Sequence, residues 1–556
     1  MAEPPSLPSN VGARLSLVAA ERPDAVAVAV PAGRSRAGKR EYRTLTFREL
    51  DEDSNRLASA LLEWGVPRGA RLALLVRMGR DFISLVFALL KAGMVQVLID
   101  PGMGRRHMVR CLAEAEPEGF IGIPAAQAVR LLLRHKFPRA RWNVTAGNSW
   151  WHGGGPTVQL FRDAGDPRFT AADTTADDEA AIIFTTGSTG PPKGVLYRHG
   201  TFVRQAEEIQ RQYGIEPGEV DIPGFPLFGL FNCVMGVTTV VPDMDPTRPA
   251  EVDPRNILEA AADWQATQAF GSPALWNTVG RYCEQHGAKI PSLRRILSAG
   301  APVPPHVISR VLEAIHPEGE FHTPYGATEA LPVATISGHE VLEETAARSA
   351  EGAGTCVGRR FPGIQWQIIR ISEESILRIN EAEPLPIGEI GELIVSGPVV
   401  TRQYVTRTEN NALHKIADGD RIWHRMGDVG YLDSADRFWF CGRKNHRVVT
   451  AEETLFTVPC EAIVNSHPSV YRSALVGLGP RGAQRPVVVV ECWPEHRPRN
   501  EAAWKRLQGE LAERTSLHEH TRMLREFLRI RALPVDIRHN SKIFREKVAV
   551  WAARRV

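Results

Sequence analysis

The stretch that decides the fold is Ala181-Ile182-Ile183-Phe184-Thr185-Thr186-Gly187-Ser188-Thr189-Gly190-Pro191-Pro192-Lys193-Gly194-Val195. Its apolar first residues predict a buried strand that leads into a loop of hydroxyl side chains and glycines. Glycine lets the backbone approach an anion closely, and free backbone N–H groups can then surround phosphate oxygens. Lys193 adds a positive charge at the end of the loop. We therefore predict that residues 185–194 bind a polyphosphate group.

An ordinary surface turn is the alternative, because Gly, Ser, Thr and Pro also form loops that bind nothing. The segment is not a Walker A loop, since Pro192 precedes Lys193 where that pattern requires a glycine. The choice between the two interpretations therefore depends on the motifs further along the chain.

Length and composition indicate a globular protein with more than one domain. The 556 residues exceed what one hydrophobic core usually holds, and the chain is 43% hydrophobic and 24% charged. The net charge of +3 gives no support to nucleic-acid binding. Basic residues that cluster near the C-terminus are interpreted as a solvated helix face and a basic loop.

Cysteine usage, the N-terminal residues and hydropathy indicate the cellular compartment of the protein. The seven cysteines form no CxxC pair, which argues against a zinc site or a disulfide framework and favours a reducing cytoplasm. Residues 1–6 lack the pattern of a signal peptide. We expect no transmembrane segment, because the longest uncharged stretch, residues 222–242, is interrupted by prolines.

Alternating apolar strands and amphipathic helices predict an α/β fold. Strands are expected at residues 72–76 and 95–99, with a helix at 81–92 between them, which is typical of a mostly parallel, helix-wrapped sheet. Another helix is expected to run from Thr46 to about Trp64. Short β segments after residue 363 predict a β subdomain.

The domain organisation follows from a change of character after Gly442. We predict a large N-terminal domain, residues 1–443, and a small mobile α+β domain, residues 444–556. Two stretches are expected to be mobile, residues 146–155 and residues 338–354, the second as an insert or a lid.

Further motifs follow the loop in a fixed order. They are Ser298-Ala299-Gly300-Ala301-Pro302, Tyr325-Gly326-Ala327-Thr328-Glu329, Met426-Gly427-Asp428, Gly442-Arg443 and Asn540-Ser541-Lys542-Ile543. Each alone is a weak signal, and Lys542 alone would be read as a surface lysine. Together they resemble the adenylate-forming superfamily, which includes acyl-CoA synthetases, peptide-synthetase adenylation domains and luciferases. The resemblance covers residues 44–547.

The resemblance implies that the chain uses ATP and Mg²⁺ and gives each motif a role. Thr185, Thr186, Gly187, Ser188, Thr189, Gly190 and Lys193 would hold the β- and γ-phosphates. Gly300, Ala301 and Pro302 would line the adenine, with Tyr325 stacked on it. Thr328 would bind the α-phosphate and Glu329 the Mg²⁺ ion. Asp428, with Arg443 beside it, would bind the ribose hydroxyls, and Lys542 would bridge the substrate carboxylate and the α-phosphate.

Some residues depart from the family pattern, and they bear on the step that follows formation of the adenylate. Asn445 stands at the hinge where the family has Asp or Lys. Glu452 stands where the family has a glycine near the pantetheine tunnel, which argues against thioester formation. Gly229 stands where the family often has His, at the start of an expected acyl pocket of Phe225, Leu227, Phe228, Gly229 and Phe231. Plain core packing is the alternative for these apolar residues.

With these departures the chain is most similar to the β-lactone synthetases of bacterial long-chain olefin biosynthesis. That similarity implies activation of a 2-alkyl-3-hydroxy fatty acid as its adenylate, followed by attack of the substrate's own 3-hydroxyl on the acyl carbon. It also implies other enzymes of an olefin-forming assembly as partners. His199 is a candidate base for the hydroxyl proton, with a structural role as the favoured interpretation. The alternatives are a long-chain acyl-CoA or acyl-carrier-protein ligase and a non-catalytic scaffold.

Overall fold

A computed structural model describes residues 8–147, 155–185, 191–225, 228–536 and 542–556. It has the α/β architecture that the sequence predicts, with elements numbered here in chain order. The first predicted mobile stretch, residues 146–155, lies mostly outside the described residues.

The first sheet has six strands in the order β6-β5-β3-β4-β7-β8, parallel except for the antiparallel pair of β7 and β8. Its strands are β3 (Arg71–Leu75), β4 (Val95–Leu98), β5 (Gly119–Gly122), β6 (Trp142–Thr145), β7 (Glu179–Phe184) and β8 (Gly194–Arg198). The helices that belong to this part are α1 (Val11–Glu21), α2 (Phe47–Glu63), α3 (Arg80–Lys91), α4 (Arg105–Ala115), α5 (Pro124–Leu132) and α6 (Val158–Ala164).

Local sequence signals explain the predicted helices in this part. Thr46 caps α2: its hydroxyl accepts from the Glu49 amide at 3.2 Å, and the Glu49 carboxylate accepts from the Thr46 amide at 2.8 Å. Helix α3 ends before Gly93, which adopts the left-handed φ of +67° that favours glycine. These signals are local, which is why both helices could be predicted.

The second sheet has fourteen strands and begins with a largely parallel half. Its strands are β1 (Val26–Arg34), β2 (Arg40–Thr46), β9 (Val220–Pro223), β10 (Thr238–Val240), β11 (Gln268–Gly271), β12 (Arg295–Ser298) and β13 (Glu320–Ala327). The accompanying helices are α7 (His199–Tyr213), α8 (Phe228–Met235), α9 (Pro254–Trp264), α10 (Pro273–His286) and α11 (Pro305–Ala314).

The other half of the same sheet is antiparallel and forms the predicted β subdomain. Its strands are β14 (Ala330–Ser337), β15 (Thr355–Arg360), β16 (Gln365–Ile369), β17 (Gly391–Ser396), β18 (Lys415–Asp418), β19 (Arg421–Leu432) and β20 (Arg437–Arg443), with the short helix α14 (Asn410–His414). The sheet changes from parallel to antiparallel at the β13–β14 hairpin. That hairpin contains Tyr325, Thr328 and Glu329.

The expectation of a mobile insert at residues 338–354 is wrong. Residues 338–350 form a continuous helical segment, made of α12 (Gly338–Glu340), a π-helical turn (Val341–Thr345) and α13 (Ala346–Ala350). Arg437 of β20 pairs with Glu340 at 3.1 Å and with Glu344 at 2.8 Å, which fastens this segment to the sheet. Glu340 and Glu344 are thus the partners of a buried arginine.

The C-terminal part has its own core around a three-stranded sheet. Its elements are β21 (Val448–Val449), β22 (Thr454–Leu455), α15 (Thr457–Asn465), β23 (Val470–Leu478), β24 (Arg485–Cys492), α16 (Glu501–Ser516), β25 (Phe527–Ile530) and α17 (Arg545–Ala552). The predicted boundary at residues 443 and 444 falls where β20 ends and a 3-10 turn (Lys444–His446) begins. That the two parts move as separate domains remains a prediction.

Candidate active site

Thr185 and Lys193, at the ends of two adjacent strands, are joined by hydrogen bonds that close the base of the predicted phosphate loop, here called its neck. The Thr185 amide donates to the Lys193 carbonyl at 3.0 Å, and the Lys193 amide donates to the Thr185 hydroxyl at 3.3 Å. Residues Thr186, Gly187, Ser188, Thr189 and Gly190 lie outside the described residues. The neck sits at the end of β7, a strand in the interior of the first sheet.

The Lys193 side chain turns toward the second sheet. Its Nζ lies 4.6 Å from the ring centre of Tyr404 and 3.2 Å from Nε2 of His414. Burial lowers the pKa of Lys193, Glu329 opposes that effect, and the charge of Arg443 adds to it. Lys193 and Arg443 therefore act electrostatically on the same region, where a phosphate chain would find positive charge.

Glu329 is buried beneath this region and is held from two sides. The Tyr404 hydroxyl donates to Glu329 Oε1 at 2.6 Å, and the Glu329 carbonyl accepts from the Thr401 amide at 2.9 Å. Lys415 donates to the Thr401 hydroxyl at 3.2 Å. Burial lowers the pKa of Lys415 to about 7, although the charge of Glu329 opposes this.

Sequence reasoning missed Tyr404, His414 and Lys415. Their spacing matches no pattern, and Tyr404 reaches Lys193 because residues 400–405 bridge the two sheets. Val195 pairs with Tyr404 and Ala330 pairs with Val400, which carries the segment from β8 to β14. Only the tertiary arrangement brings these side chains to Glu329.

Tyr325, Asp428, Arg443 and Lys542 form the second group of predicted site residues that the fold assembles. Asp428 and Arg443 are paired in the register of β19 and β20, and the Arg443 guanidinium lies 2.9 Å from Asp428 Oδ1. The Tyr325 hydroxyl donates a short hydrogen bond to Asp428 Oδ2. Burial raises the pKa of Asp428, and the charges of Arg443 and Lys542 both oppose this rise. Lys542 is 114 positions from Asp428 along the chain, yet it lies close enough for its charge to act on that carboxylate.

A single large cavity of about 2,790 Å³ joins these residues. Gly300, Ala301, Pro302, Thr328 and Lys542 line it, as do Tyr325, Asp428 and Arg443. Gly300 has a φ of +97°, which a residue other than glycine adopts only with strain. The Thr328 carbonyl is fixed by the Tyr197 hydroxyl at 2.6 Å, so the β13–β14 hairpin is held against the first sheet.

The apolar part of the cavity contains most of the predicted acyl pocket. Phe225, Phe228 and Phe231 line it, and the ring of Phe228 stacks on Phe270 at 4.2 Å. Leu227 lies outside the described residues. The structure corrects the prediction for Gly229, which is not among the residues that line the cavity. A Cβ atom added there would lie 3.0 Å from the Thr239 side chain, in the protein interior.

Gln205 of α7 is a polar residue in this apolar lining that the sequence did not indicate. It is 1% exposed, and its Nε2 donates to the Leu331 carbonyl at 2.8 Å. This bond fixes the orientation of the amide. Its Oε1 is buried and has no hydrogen-bond partner among the described residues.

His199 has a structural role rather than that of a base. It begins α7, is fully buried, and its Nδ1 accepts from the Val11 amide at 3.2 Å. Burial lowers its pKa to about 4, so the ring is neutral at physiological pH. It does not line the cavity.

The two residues that depart from the family pattern in the C-terminal part are both exposed. Asn445 lies in the 3-10 turn, between Lys444, which is 3.2 Å from Glu392, and Arg447, which is 2.6 Å from Glu373. Glu452 lies in the turn of the β21–β22 hairpin, where the Thr450 hydroxyl accepts from its amide at 3.2 Å. Glu452 does not line the cavity.

Comparison with known proteins identifies the family. Residues 15–405 match the family model described as AMP-binding enzyme. The chain belongs to this family. It is 45% identical over 551 residues to an olefin beta-lactone synthetase of Xanthomonas campestris pv. campestris, with 98% of each chain covered. The enzyme of the same name from Stenotrophomonas maltophilia is 45% identical over 555 residues, again with 98% of each chain covered.

A solved structure confirms the fold of this AMP-binding family member. ATP-bound MatB from Rhodopseudomonas palustris superposes with a TM-score of 0.77 over 98% of this chain and 99% of that chain, at 19% identity. The family match and the two relatives at 45% identity confirm the sequence-based resemblance to the adenylate-forming superfamily, and within it to the olefin β-lactone synthetases.

The described ranges show neither a preformed metal cluster nor a membrane-spanning helix. These ranges contain no cluster of three or more His, Cys, Asp or Glu side chains that could hold a metal ion by itself. Within the same ranges no helix combines the length and the apolar character needed to cross a bilayer.

Proposed function

We propose that the chain is an ATP-dependent β-lactone synthetase that acts on a 2-alkyl-3-hydroxy fatty acid. The observation that carries the proposal is the 45% identity to two olefin beta-lactone synthetases across nearly the whole chain. A cavity with a polar, charged end and an apolar end is consistent with an adenylated acid that carries alkyl chains.

In the first half-reaction, a carboxylate oxygen of the acid attacks the α-phosphorus of ATP and pyrophosphate leaves. The phosphate loop and Lys193 would hold the β- and γ-phosphates. Lys542 would lie between the carboxylate and the α-phosphate, where charge gathers in the transition state, and Thr328 would bind the α-phosphate. The position of Lys542 supports this placement, because it lines the same cavity as Thr328 and Asp428.

The nucleoside would be bound at the other side of the cavity. Gly300, Ala301 and Pro302 would line the adenine beside the Tyr325 ring. Asp428 would accept from the ribose hydroxyls. Its pairing with Arg443 and Tyr325 supports this role, since both partners hold the buried carboxylate in one orientation.

Glu329 fits a magnesium site of the kind that substrate phosphates complete. Mg²⁺ is usually bound through one or two carboxylates, waters and phosphate oxygens. Glu329 is a buried carboxylate, and Tyr404 contacts both it and Lys193. When bound, the ion would neutralise phosphate charge. Tyr404 would keep Oε1 of Glu329 in position for it.

In the second half-reaction, the 3-hydroxyl oxygen attacks the acyl carbon, AMP leaves, and the hydroxyl proton is released. An intramolecular nucleophile has an effective molarity of up to about 10⁵–10⁸ M when it is well oriented. The fixed Oε1 of Gln205 would accept a hydrogen bond from this hydroxyl and orient it.

The cysteines and the two relatives indicate the cellular setting that we propose. All seven cysteines are buried and unbridged, which supports a reducing compartment such as the cytoplasm. Other enzymes of an olefin-forming assembly are proposed as partners on the similarity to the two relatives.

The test is to incubate the protein with ATP, Mg²⁺ and a synthetic 2-alkyl-3-hydroxy acid, with and without CoA, and to follow the products by NMR. We expect lactone and AMP in both samples. A CoA-dependent thioester without lactone would establish the alternative ligase activity. An absence of AMP under all conditions would favour a scaffold.

A further inference from the structure

Helix α5 exposes an apolar face to solvent. Leu132 is 80% exposed, Val129 is 42% exposed and Leu131 is 40% exposed. Ala125, Val129 and Leu132 follow one another at intervals of four and three residues, so they share one face of the helix. Exposed large apolar side chains that cluster in this way are typical of an interaction site.

The opposite face of α5 is fixed to the first sheet. Gln127 is buried and donates to the Phe120 carbonyl at 3.2 Å and to the Val144 carbonyl at 2.8 Å, which lie on β5 and β6. Arg130 in turn donates to Gln127 Oε1 at 2.8 Å. Because the helix is held by these bonds, it cannot turn Val129 and Leu132 inward without breaking them.

Positive charge is concentrated in the part of the chain that contains α5. Residues 105–141 contain eight Arg and Lys residues and three Glu residues, a net charge of +5, whereas the whole chain has +3. Arg134 and Lys136 are exposed in the 3-10 turn that directly follows α5. An apolar face flanked by exposed cations is complementary to an anionic lipid surface.

The same elements line the cavity of the active site. Met108 and Val109 of α4 and Ala126 and Val129 of α5 are among its lining residues. Val129 thus contributes both to the exposed face and to the cavity wall. A surface bound to α5 would lie against this end of the cavity.

We propose that Val129, Leu131, Leu132, Arg134 and Lys136, here called the α5 surface, dock the protein on an anionic lipid bilayer. Docking presents the cavity to the bilayer, from which a long-chain acid can enter between α4 and α5. The entry of the acid rests on the proposed function, whereas the lipid binding does not.

The test is sedimentation of the full chain with vesicles of phosphatidylcholine alone or with phosphatidylglycerol, without substrate. We expect binding to the anionic vesicles that weakens as salt rises, because screening shortens the reach of the charges. R134Q/K136Q should lower the partition coefficient roughly 30-fold, since each cation at an anionic surface contributes about 1 kcal/mol. L131Q/L132Q should also abolish most of the binding.

Matched controls come from the C-terminal part. L517Q changes a leucine that is 78% exposed, and K505Q/R506Q changes two exposed cations of α16. Both controls should bind vesicles as the wild type does. The proposal is overturned if the wild type does not bind anionic vesicles, or if controls and α5 variants lose binding equally. It is also overturned if L131Q/L132Q changes only the oligomeric state in analytical ultracentrifugation, which would make the surface a protein interface.

Discussion

The Tyr404 hydroxyl donates a 2.6 Å hydrogen bond to Glu329 Oε1, although 75 residues separate the two in the chain. Lys193 and Lys415 both lie over the face of the Tyr404 ring, at 4.6 and 5.5 Å from its centre. Two cations therefore lie against the ring, while its hydroxyl donates to the carboxylate. Tyr404 is thus a positioning residue for the proposed metal ligand.

Replacement of Tyr404 by Phe removes the hydroxyl and keeps the ring. A hydrogen bond to a charged acceptor contributes about 1.5–3 kcal/mol, so we expect the affinity for Mn²⁺ in the presence of ATP to fall roughly 10- to 100-fold. Electron paramagnetic resonance of bound Mn²⁺ measures this. Tyr431→Phe is the control, because its hydroxyl donates to the Ala353 carbonyl. Equal Mn²⁺ affinity in Tyr404→Phe and the wild type would contradict the role.

Lys542→Ala should suppress adenylate formation roughly 10²–10³-fold, the usual effect of removing one preorganised stabilising group. ATP binding should change little, since the loop and the Tyr325 side of the cavity remain. Pyrophosphate release and calorimetric titration with ATP measure the two effects. Lys505→Ala, on the exposed face of α16, should leave both unchanged. Unchanged turnover in Lys542→Ala would show that the catalytic lysine is misplaced.

Gln205→Leu tests the proposed orientation of the 3-hydroxyl. We expect the ratio of lactone to hydrolysed acid to fall roughly 3- to 10-fold, because one neutral hydrogen bond contributes about 0.5–1.5 kcal/mol. Pyrophosphate release should stay near the wild-type rate. A purely structural defect would lower both half-reactions together and leave the product ratio unchanged, and that outcome would contradict the role of Gln205.

Asn445→Pro tests whether lactone formation depends on rotation of the C-terminal part. Proline fixes its own φ and restricts Lys444, so it stiffens the connection after β20. We expect adenylate formation and lactone release to stay within about threefold of each other, because the nucleophile belongs to the substrate and no second partner must enter. Quenched-flow measurement of both products is the readout. Accumulation of adenylate without lactone would show that rotation is required.

Asp221 makes the stability of the fold depend on pH. It is buried, its Oδ2 accepts from Asn232 at 2.7 Å, and burial raises its pKa to about 7. Between pH 4 and 7 the folded chain therefore holds a proton that the unfolded chain has lost, so this residue's contribution to stability falls as pH rises through that window.

Asp221→Asn should remove this dependence, since Asn resembles the protonated acid. We expect the variant to gain several degrees in melting temperature over the wild type at pH 8 and to differ little at pH 4.5. Differential scanning calorimetry at both pH values gives the comparison. The same difference at both pH values would rule out titration of Asp221 as the cause.

Several elements could be predicted because their signals are local. The capping residues of α2, the glycine that ends α3 and the strand before the phosphate loop each depend on a few neighbouring residues. The order of the motifs was sufficient for the family, and it also singled out Tyr325, Asp428 and Arg443, which the fold brings into contact. The pairing of the last two then follows from the register of β19 and β20.

The sequence by itself determined the α/β class, the adenylate-forming family and the residues whose neighbours form motifs. Only the tertiary structure placed Tyr404, Lys415 and Gln205 at the site, turned Gly229 away from the cavity and made residues 338–350 a packed helical segment. The physical reason is the separation along the chain over which each kind of signal acts. A motif states which groups are adjacent along the chain, whereas burial and hydrogen bonding depend on segments that meet only after the two sheets have packed.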